Sequence, residues 1–282
     1  MNLKSIHNIY FIGIGGVGMS ALAKYFVSVG KIVGGYDKKP SLATDSLIDL
    51  GISIQFEANS SNIHESFTDP LKTLVVFTPA VSQTNQLLNY FKSNSFQVLK
   101  RSEVLGIVTK NTLCLAVAGT HGKTTTTSIL AHLLYQNNEK ITAFVGGVSE
   151  NYQSNFIQRG TEISVVEADE FDRSFLTLSP DFACITSMDA DHLDVYGSAE
   201  DMAATFKEFV QKIKPSGKLF IKKGLPFDGI TYGVNEPADY SALKVRILKG
   251  AYCFDIQTPS ELIENVHFSL PGVHNLSNAL EV

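Results

Sequence analysis

The sequence of 282 residues contains only three cysteines, no excess of basic charge and no long apolar run. Cys114, Cys184 and Cys253 lie far apart in apolar segments, which favours buried, reduced thiols over a disulfide or a metal site. The net charge of -5 argues against a general nucleic-acid-binding protein, which carries a basic patch or excess. No apolar run approaches the roughly 18 residues of a membrane span, and the first residues lack the cationic and apolar regions of a secretory signal. We therefore expect a cytoplasmic protein with no membrane span and no nucleic-acid partner.

The sequence does contain a regular alternation of apolar strands and helical runs. Strands are predicted at NIYFIGI, KIVGGYD, TLVVFTP, QVL, TLCLAVAG, EISVVEAD, DFACITSM and GKLFIK, followed by short strands after about residue 229. Helices between them predict an α/β fold with mostly parallel sheets. Because a fresh strand–glycine loop–helix unit begins at TLCLAVAG, we predict a Rossmann-like domain over residues 1–107 and a P-loop ATPase-type domain over residues 108–282.

The first glycine cluster, GIGGVGMS, lies between a strand and a helix. Gly13, Gly15 and Gly18 match the dinucleotide-binding pattern G-x-G-x-x-G. Glycines let the backbone approach a diphosphate, and the helix start offers free N–H groups. Asp37 ends the next strand, 19 residues after Gly18, where it can accept a hydrogen bond from a ribose hydroxyl. The motif indicates a nucleotide diphosphate without specifying NAD, and a tight turn with no ligand remains the alternative.

The second glycine cluster, VAGTHGKTTTTS, is a shortened phosphate-binding loop. Val117 stands where the usual G-x-x-x-x-G-K-[ST] pattern has its first glycine. Gly122, Lys123 and Thr124 still supply a helix start, a lysine for the terminal phosphates and a hydroxyl for Mg²⁺. The alternative is a threonine-rich helix start, since threonine caps helices well. We interpret the segment as a working phosphate loop.

Acidic side chains follow two further strands. They are Glu167, Asp169, Glu170 and Asp172 in VVEADEFDRS, and Asp189, Asp191 and Asp194 around His192 in SMDADHLDVY. The carboxyl ends of parallel strands share one edge of a sheet, so these residues are expected beside the phosphate loop. Oxygen ligands suit Mg²⁺. Asp169 and Asp194 are equally consistent with helix or turn caps.

Five motifs in order, GIGGVGMSALA, AGTHGKTTTT, EADEFDRSF, DADHLDVYG and LPGVHNLSNAL, resemble the Mur ligase family of peptidoglycan synthesis. The resemblance extends from residue 6 to the end of the chain, and it is strongest to the branch that joins L-alanine to UDP-N-acetylmuramate. It implies an ATP-dependent, amide-forming ligase with ATP and Mg²⁺ as cofactors. ATP would phosphorylate the muramoyl carboxylate, and the amine of L-alanine would attack the acyl phosphate.

The resemblance also implies roles for individual residues. The UDP-sugar site would comprise Gly15, Gly16, Val17 and Gly18 at the diphosphate, Asp37 near the uridine, and a substrate-facing loop of Thr78, Pro79 and Ala80. The ATP site would comprise Gly119, Thr120, His121, Gly122, Lys123, Thr124, Thr125, His274 and Asn275. Lys123, Glu167 and His192 would be catalytic, and Thr124, Glu167 and His192 would hold Mg²⁺ directly or through water. Asn278 is a weaker candidate for the same site, because an asparagine in mid-helix is often merely solvated.

The helix that begins near Asn275 has no glycine or proline stop signal before Val282. The resemblance implies a third, Rossmann-like domain in relatives, so we expect a fragment that is inactive in ligation by itself. Three alternatives stay open. They are a sibling ligase that attaches a recycled tripeptide to the same UDP-sugar, an NAD-dependent dehydrogenase, and a non-catalytic UDP-sugar-binding module. The segment DHLDVYG favours the alanine-adding branch over its sibling.

Overall fold

The computed structural model of the protein describes residue 3 and residues 5–189 and 198–282. Contacts between residues divide the chain into two compact units. The first comprises Met1–Val108 with Phe144–Phe156, and the second comprises Thr109–Ala143 with Ile157–Val282. Both are α/β structures, which confirms the predicted fold class. Within the described ranges, no helix combines the length and the apolar character that crossing a bilayer requires.

The first unit is built on a five-stranded parallel sheet with the strand order β3-β2-β1-β4-β5. The strands are β1 (Asn8–Ile12), β2 (Ile32–Tyr36), β3 (Ser53–Gln55), β4 (Thr73–Phe77) and β5 (Gln97–Lys100). The helices are α1 (Val17–Ser28), α2 (Leu42–Asp49), α3 (Gln86–Ser93) and α4 (Arg101–Thr109), with 3₁₀ turns at Ser60–Asn62 and Glu65–Phe67. The order reverses between β1 and β4, and such a switch point is where open α/β sheets bind ligands.

The core of the first unit follows from its continuous apolar strands. Strands β1 and β4 are buried at every position, as expected for parallel strands covered on both faces. Aromatic rings pack beside them: the centroids of Tyr10 and Phe91 are 5.0 Å apart, and those of Phe91 and Phe96 are 4.8 Å apart. This packing fixes the sheet edge from which the first glycine loop emerges.

A hairpin segment from the second half of the sequence completes the first unit. The ring of Tyr25 on α1 lies 5.7 Å from that of Phe144 and 6.5 Å from that of Phe156, measured between centroids. The buried Asn155 donates from its amide to the carbonyl of Val17 at 2.6 Å and to Oγ of Ser20 at 2.9 Å. Nothing in the sequence indicated that residues 144–156 would pack on α1. The domain ranges 1–107 and 108–282 stay a prediction.

The second sheet has ten strands in the order β15-β14-β13-β12-β11-β10-β6-β9-β7-β8. The strands are β6 (Leu113–Ala118), β7 (Ile141–Ser149), β8 (Ser154–Gln158), β9 (Ile163–Ala168), β10 (Phe182–Ile185), β11 (Lys218–Lys222), β12 (Ile230–Val234), β13 (Tyr240–Leu248), β14 (Ala251–Gln257) and β15 (Leu262–Phe268). The helices are α5 (Lys123–Gln136), α6 (Ala199–Val210) and α7 (Val273–Leu280), with a 3₁₀ segment at Phe171–Thr177. Strand β9 pairs parallel to β6, and parallel pairing continues from β6 through β10 to β13, whereas β13, β14 and β15 pair antiparallel. Strand β6 therefore lies between β10 and β9, with its phosphate loop at their shared carboxyl edge.

The cysteines, strand β7 and helix α4 show how sequence patterns compare with the fold. Cys114, Cys184 and Cys253 are buried free thiols, which confirms the reading of the cysteines. Strand β7 escaped prediction because its sequence, ITAFVGGVS, carries two adjacent glycines, which weaken a strand pattern. Helix α4 escaped for a similar reason, since Gly106 and β-branched neighbours lower its helix propensity.

Candidate nucleotide sites

The first glycine loop connects β1 to α1 at the switch point of the first sheet. Gly13 has φ 88°, which favours glycine, and a Cβ atom there would come 2.9 Å from Cγ2 of Thr78. Gly16 is the N-cap of α1 and contributes no capping side chain. The first turn of α1 therefore presents backbone N–H groups of the kind that bind phosphate oxygens.

Asp37 braces this loop. Its Oδ2 accepts a hydrogen bond from the N–H of Gly15 at 2.7 Å, and its Oδ1 accepts one from the N–H of Lys38 at 2.7 Å. A Cβ atom at Gly15 would come 2.9 Å from Oδ2, so the carboxylate packs directly on the loop. The sequence suggested a contact with ribose for Asp37, and the structure adds that it shapes the loop.

The predicted substrate-facing loop follows β4, the strand beside β1. Its residues Thr78, Pro79 and Ala80 are partly or fully exposed. The carbonyl of Thr78 accepts a hydrogen bond from the N–H of Val81 at 3.0 Å, which closes a tight turn. The structure thus brings this loop to the same sheet edge as Gly13, on the other side of the switch point.

The second glycine loop connects β6 to α5 and is glycine-dependent at two positions. Gly119 has φ 135°, and a Cβ atom there would come 2.0 Å from Oγ1 of Thr186. Gly122 has φ 83°, and its Cβ atom would come 2.6 Å from Oδ1 of Asn278. Val117 is a buried residue of β6, so the position of the usual first glycine belongs to the strand. The shortened loop therefore starts later and remains complete.

The chain after β10 holds this loop in place. The N–H of Thr120 donates to the carbonyl of Ser187 at 3.1 Å, and the N–H of His121 donates to Oγ of Ser187 at 2.8 Å. The hydroxyl of Thr186 donates to the carbonyl of His121. His121 itself is exposed and faces Asp189, with Nε2 and Oδ2 separated by 3.7 Å. The loop conformation is thus set by hydrogen bonds before any ligand is considered.

Lys123, the first residue of α5, is oriented by the carboxylate of Glu170 and by the backbone carbonyls of Gly119 and Thr120. Its Nζ lies 3.0 Å from Oε1 and 2.9 Å from Oε2 of Glu170, and it also donates to the carbonyl of Gly119. Glu170 is fully buried, whereas the Lys123 side chain is 13% exposed. The ammonium is therefore held over the loop, where it can meet a terminal phosphate.

Thr124 and Glu167 meet beside this lysine. The hydroxyl of Thr124 donates to Oε1 of Glu167 at 3.1 Å. A hydroxyl and a carboxylate oxygen are hard ligands of the type that Mg²⁺ prefers, so the pair fits that ion. His192, Asp191 and Asp194 lie outside the described residues. In the described ranges, no group of three or more His, Cys, Asp or Glu side chains is arranged to hold a metal ion.

Asp169 and Thr125 are two further residues that the sequence singled out. Asp169 caps a turn, because its Oδ1 accepts a hydrogen bond from the N–H of Phe171 at 3.1 Å. This is the capping alternative that the sequence left open. Thr125 follows Thr124 in the first turn of α5 and is partly exposed.

Helix α7 places the side chain of Asn278 against the phosphate loop. Asn278, the weaker candidate, is 7% exposed and packs on Gly122, so its side chain is buried rather than solvated. Its Nδ2 lies 3.4 Å from Oδ1 of Asn275, one turn earlier. His274 is exposed at the start of the helix. The buried asparagine thus links the loop to the predicted residue Asn275.

Glu281, at the end of α7, is a polar centre that the sequence did not reveal. Its Oε2 accepts hydrogen bonds from Oγ1 of Thr126 at 3.2 Å and from Sγ of Cys184 at 3.4 Å, and its Oε1 accepts one from the hydroxyl of Tyr232. Burial raises the pKa of Glu281 to about 7, although these three hydrogen bonds and Lys222 act in the opposite direction. Burial also raises the pKa of Tyr232 and of Cys184.

The loops and strand ends described above define an α/β protein with a glycine-rich strand–helix loop in each of its two units. The model of the Mur ligase family, catalytic domain, matches residues 8–112, and that of the Mur ligase middle domain matches residues 117–282. The chain belongs to the Mur ligase family.

Named relatives refine this assignment. The chain is 56% identical over 280 residues to a UDP-N-acetylmuramate–L-alanine ligase of Flavobacterium psychrophilum, covering 99% of this chain and 62% of that protein. A crystal structure of UDP-N-acetylmuramate–alanine ligase from Thermotoga maritima is 28% identical, with a TM-score of 0.85, and the match covers 97% of this chain and 63% of that one. A tripeptide-adding UDP-N-acetylmuramate ligase from Neisseria meningitides is 23% identical with the same TM-score over 98% of this chain and 91% of that one, which shows the shared fold. The chain thus spans about 62% of the length of the curated relative.

Proposed function

We propose that this chain carries the UDP-sugar-binding and ATP-binding parts of an enzyme that joins L-alanine to the carboxylate of UDP-N-acetylmuramate in peptidoglycan synthesis. The observation that carries the proposal is the grouping of Lys123, Thr124 and Glu167 at one shortened phosphate loop. The identity of 56% to a ligase of that name supports the choice of substrates. The cytoplasm is the proposed location, since UDP-sugars and ATP are made there and the three thiols are free.

The proposed division of labour follows the two loops. Residues 1–107 would bind the UDP-sugar, and residues 108–282 would bind ATP. The proposed UDP-sugar ligands are Gly15, Gly16, Val17, Gly18, Asp37, Thr78, Pro79 and Ala80. The N–H of Gly15 already donates to Asp37, so the proposed N–H donors to the diphosphate are those after Gly16. The proposed ATP ligands are residues 119–125, His274 and Asn275.

Lys123 has the central role in the proposed reaction. Its ammonium would bind the terminal phosphate of ATP and stabilise negative charge as the phosphoryl group moves to the muramoyl carboxylate. The amine of L-alanine then attacks the acyl carbon, an amide bond forms, phosphate leaves and the amine loses a proton. Thr124, Glu167 and His192 would hold Mg²⁺, which when bound neutralises phosphate charge. The buried position of Glu170 keeps the lysine pointed at the loop.

The sibling reaction, addition of a tripeptide to the same UDP-sugar, is the alternative to be tested. The experiment uses a protein that carries this chain and has the full length of its relatives. UDP-N-acetylmuramate and Mg²⁺–ATP are supplied with either L-alanine or the tripeptide, and amide product and released phosphate are measured. We expect product with L-alanine. Product with the tripeptide alone would contradict the proposal.

A further inference from the structure

The guanidinium group of Arg101 lies against Gly18, in the first turn of α1. A Cβ atom built at Gly18 would come 2.7 Å from Nη1 and 2.9 Å from Cδ of Arg101. Gly18 does not have a positive φ, so its backbone is open to any residue type. A side chain at this position would therefore meet Arg101 before any strain in the backbone.

The fold explains why an arginine reaches this loop. Arg101 is the first residue of α4 and directly follows β5. Strands β1, β4 and β5 are parallel neighbours, so their carboxyl ends lie on one edge of the sheet. The start of α4 is fixed by a hydrogen bond from the N–H of Lys100 to Oε2 of Glu103 at 2.7 Å. The guanidinium is thus brought across the edge of the sheet to the start of α1.

The chemistry of this arrangement suits a diphosphate. A guanidinium is always charged and offers five N–H donors in a planar fork that matches phosphate oxygens. The first turn of α1 adds backbone N–H groups and the positive end of the helix dipole, without a capping side chain from Gly16. Both features lie at Gly18, and both favour the same kind of anion.

We propose that Arg101 is a direct ligand of the diphosphate of the UDP-sugar, and that Gly18 is glycine to admit its guanidinium. The inference rests on the proposed function, which supplies the nucleoside diphosphate, and adds to it a residue outside the recognised motifs. In the G-x-G-x-x-G pattern the third glycine ordinarily allows close helix–strand packing. Here it also makes room for a charged side chain from another helix.

The test is a double-mutant cycle measured by calorimetric titration with UDP, UDP-N-acetylmuramate and Mg²⁺–ATP. Arg101→Ala should weaken binding of both UDP compounds about 10- to 100-fold, the usual effect of losing hydrogen bonds to a charged group. The UDP affinity of Arg101→Lys should lie between those of the wild type and Arg101→Ala, because lysine keeps the positive charge but lacks the planar set of N–H donors. The affinity for Mg²⁺–ATP should stay unchanged in every variant.

Gly18→Ala is the second variant of the cycle and tests whether the effect of Arg101 depends on the space at Gly18. Its Cβ atom must displace the guanidinium, so the single variant should lose affinity much as Arg101→Ala does, and the double variant should lose no more. Alanine is the better helix former, so Gly18→Ala should not lower the melting temperature. Arg246→Ala, which removes an exposed arginine bonded to Asn265, is the matched control and should change no affinity.

If the wild type binds both UDP compounds, either of two results would overturn the proposed role of Arg101 and leave the proposed function standing. One is an unchanged UDP affinity in Arg101→Ala. The other is a loss of affinity in the double variant that equals the sum of the two single losses. Failure of the wild type to bind either UDP compound would overturn the proposed function together with this role. The two failures are therefore distinguishable in one set of titrations.

Discussion

The ammonium of Lys123 lies within 3.0 Å of both carboxylate oxygens of Glu170, and the Glu170 side chain is only 1% exposed. A buried carboxylate needs its partner charge, because an isolated charge in the interior is costly. The pair therefore has two consequences. Glu170 positions the lysine of the phosphate loop, and the charge of the lysine compensates that of the buried Glu170 carboxylate.

Lys123→Ala should slow ligation in the full-length protein about 100- to 1,000-fold and weaken Mg²⁺–ATP binding, with UDP-N-acetylmuramate affinity unchanged. Loss of electrostatic stabilisation of this kind costs about 2.7–4 kcal/mol in the barrier. Rates are measured by phosphate release and affinities by calorimetry. Lys140→Ala, which breaks an exposed pair with Glu162, is the control and should retain activity. An equal loss of UDP-sugar affinity in Lys123→Ala would contradict the assignment.

The pairing with Glu170 adds a stability effect that can be separated from catalysis. Lys123→Ala should lower the melting temperature, because it removes the ammonium from a buried carboxylate. Adding Glu170→Gln should restore much of that loss without restoring ligation. A double variant as unstable as the single one would show that this pair does not control stability at the loop.

Glu167→Gln should weaken the dependence of activity on Mg²⁺ while leaving the fold intact. The amide keeps the size of the side chain and its contact with Thr124, but it removes the charge that attracts a hard cation. The measurement is the Mg²⁺ concentration at half-maximal rate, beside the melting temperature without metal. Glu162→Gln at an exposed position serves as the control. A large fall in melting temperature with an unchanged Mg²⁺ requirement would assign Glu167 a structural role instead.

Glu281 should make stability depend on pH in a defined direction. The folded protein holds a proton on Glu281 up to a pKa of about 7, whereas the ordinary value is 4.5. Between these values the folded state binds the proton more tightly, so this group's contribution to stability falls as pH rises from about 4.5 to about 7. The groups that face the carboxylate are Tyr232, Cys184 and Thr126, with Lys222 acting through its charge.

The comparison of the wild type with Glu281→Gln isolates this effect. Melting temperatures are measured at intervals from pH 4 to pH 8, and the stability of the wild type relative to the variant should fall over that window. Exposed Glu261→Gln should show no such difference. Parallel curves for the wild type and Glu281→Gln would contradict a raised pKa.

Asn155→Ala should destabilise the first unit. The amide donates two hydrogen bonds to α1, to the carbonyl of Val17 and to Ser20, and its Oδ1 accepts one from Nζ of Lys24 at 3.1 Å. Burial lowers the pKa of Lys24, so losing an acceptor for its ammonium adds to the cost. We expect a loss of about 1–3 kcal/mol in the free energy of unfolding. Denaturant titration checks this, with exposed Asn89→Ala as the control, and equal stability of the two variants would contradict it.

The sequence predicted those features that depend on residues close together in the chain. Apolar runs such as those of β1 and β6 are buried strands, and the glycine loops lie where a strand gives way to a helix. Gly122, Lys123 and Thr124 are adjacent, so their chemistry is visible as a motif. Local patterns of this kind are enough to predict the fold class and the glycine loop of each candidate site.

The residues that escaped prediction act across long stretches of chain. Glu281 meets Thr126 over 155 residues, and Asn155 meets Val17 over 138 residues. Contacts over such separations produce no periodic pattern in the sequence, because they arise from the order of the strands in the sheets. Asn278 looked solvated for the same reason: nothing in its helix indicates that Gly122 lies beneath it.

We propose that the first glycine loop binds a UDP-sugar and that the second binds ATP. The most direct measurement is the melting temperature of this chain with UDP-N-acetylmuramate, Mg²⁺–ATP or NAD, each at a series of concentrations. A ligand at 100 times its dissociation constant stabilises the folded state by about 2.7 kcal/mol. We predict that UDP-N-acetylmuramate and Mg²⁺–ATP raise the melting temperature and NAD does not. A rise with NAD and none with UDP-N-acetylmuramate would contradict the account.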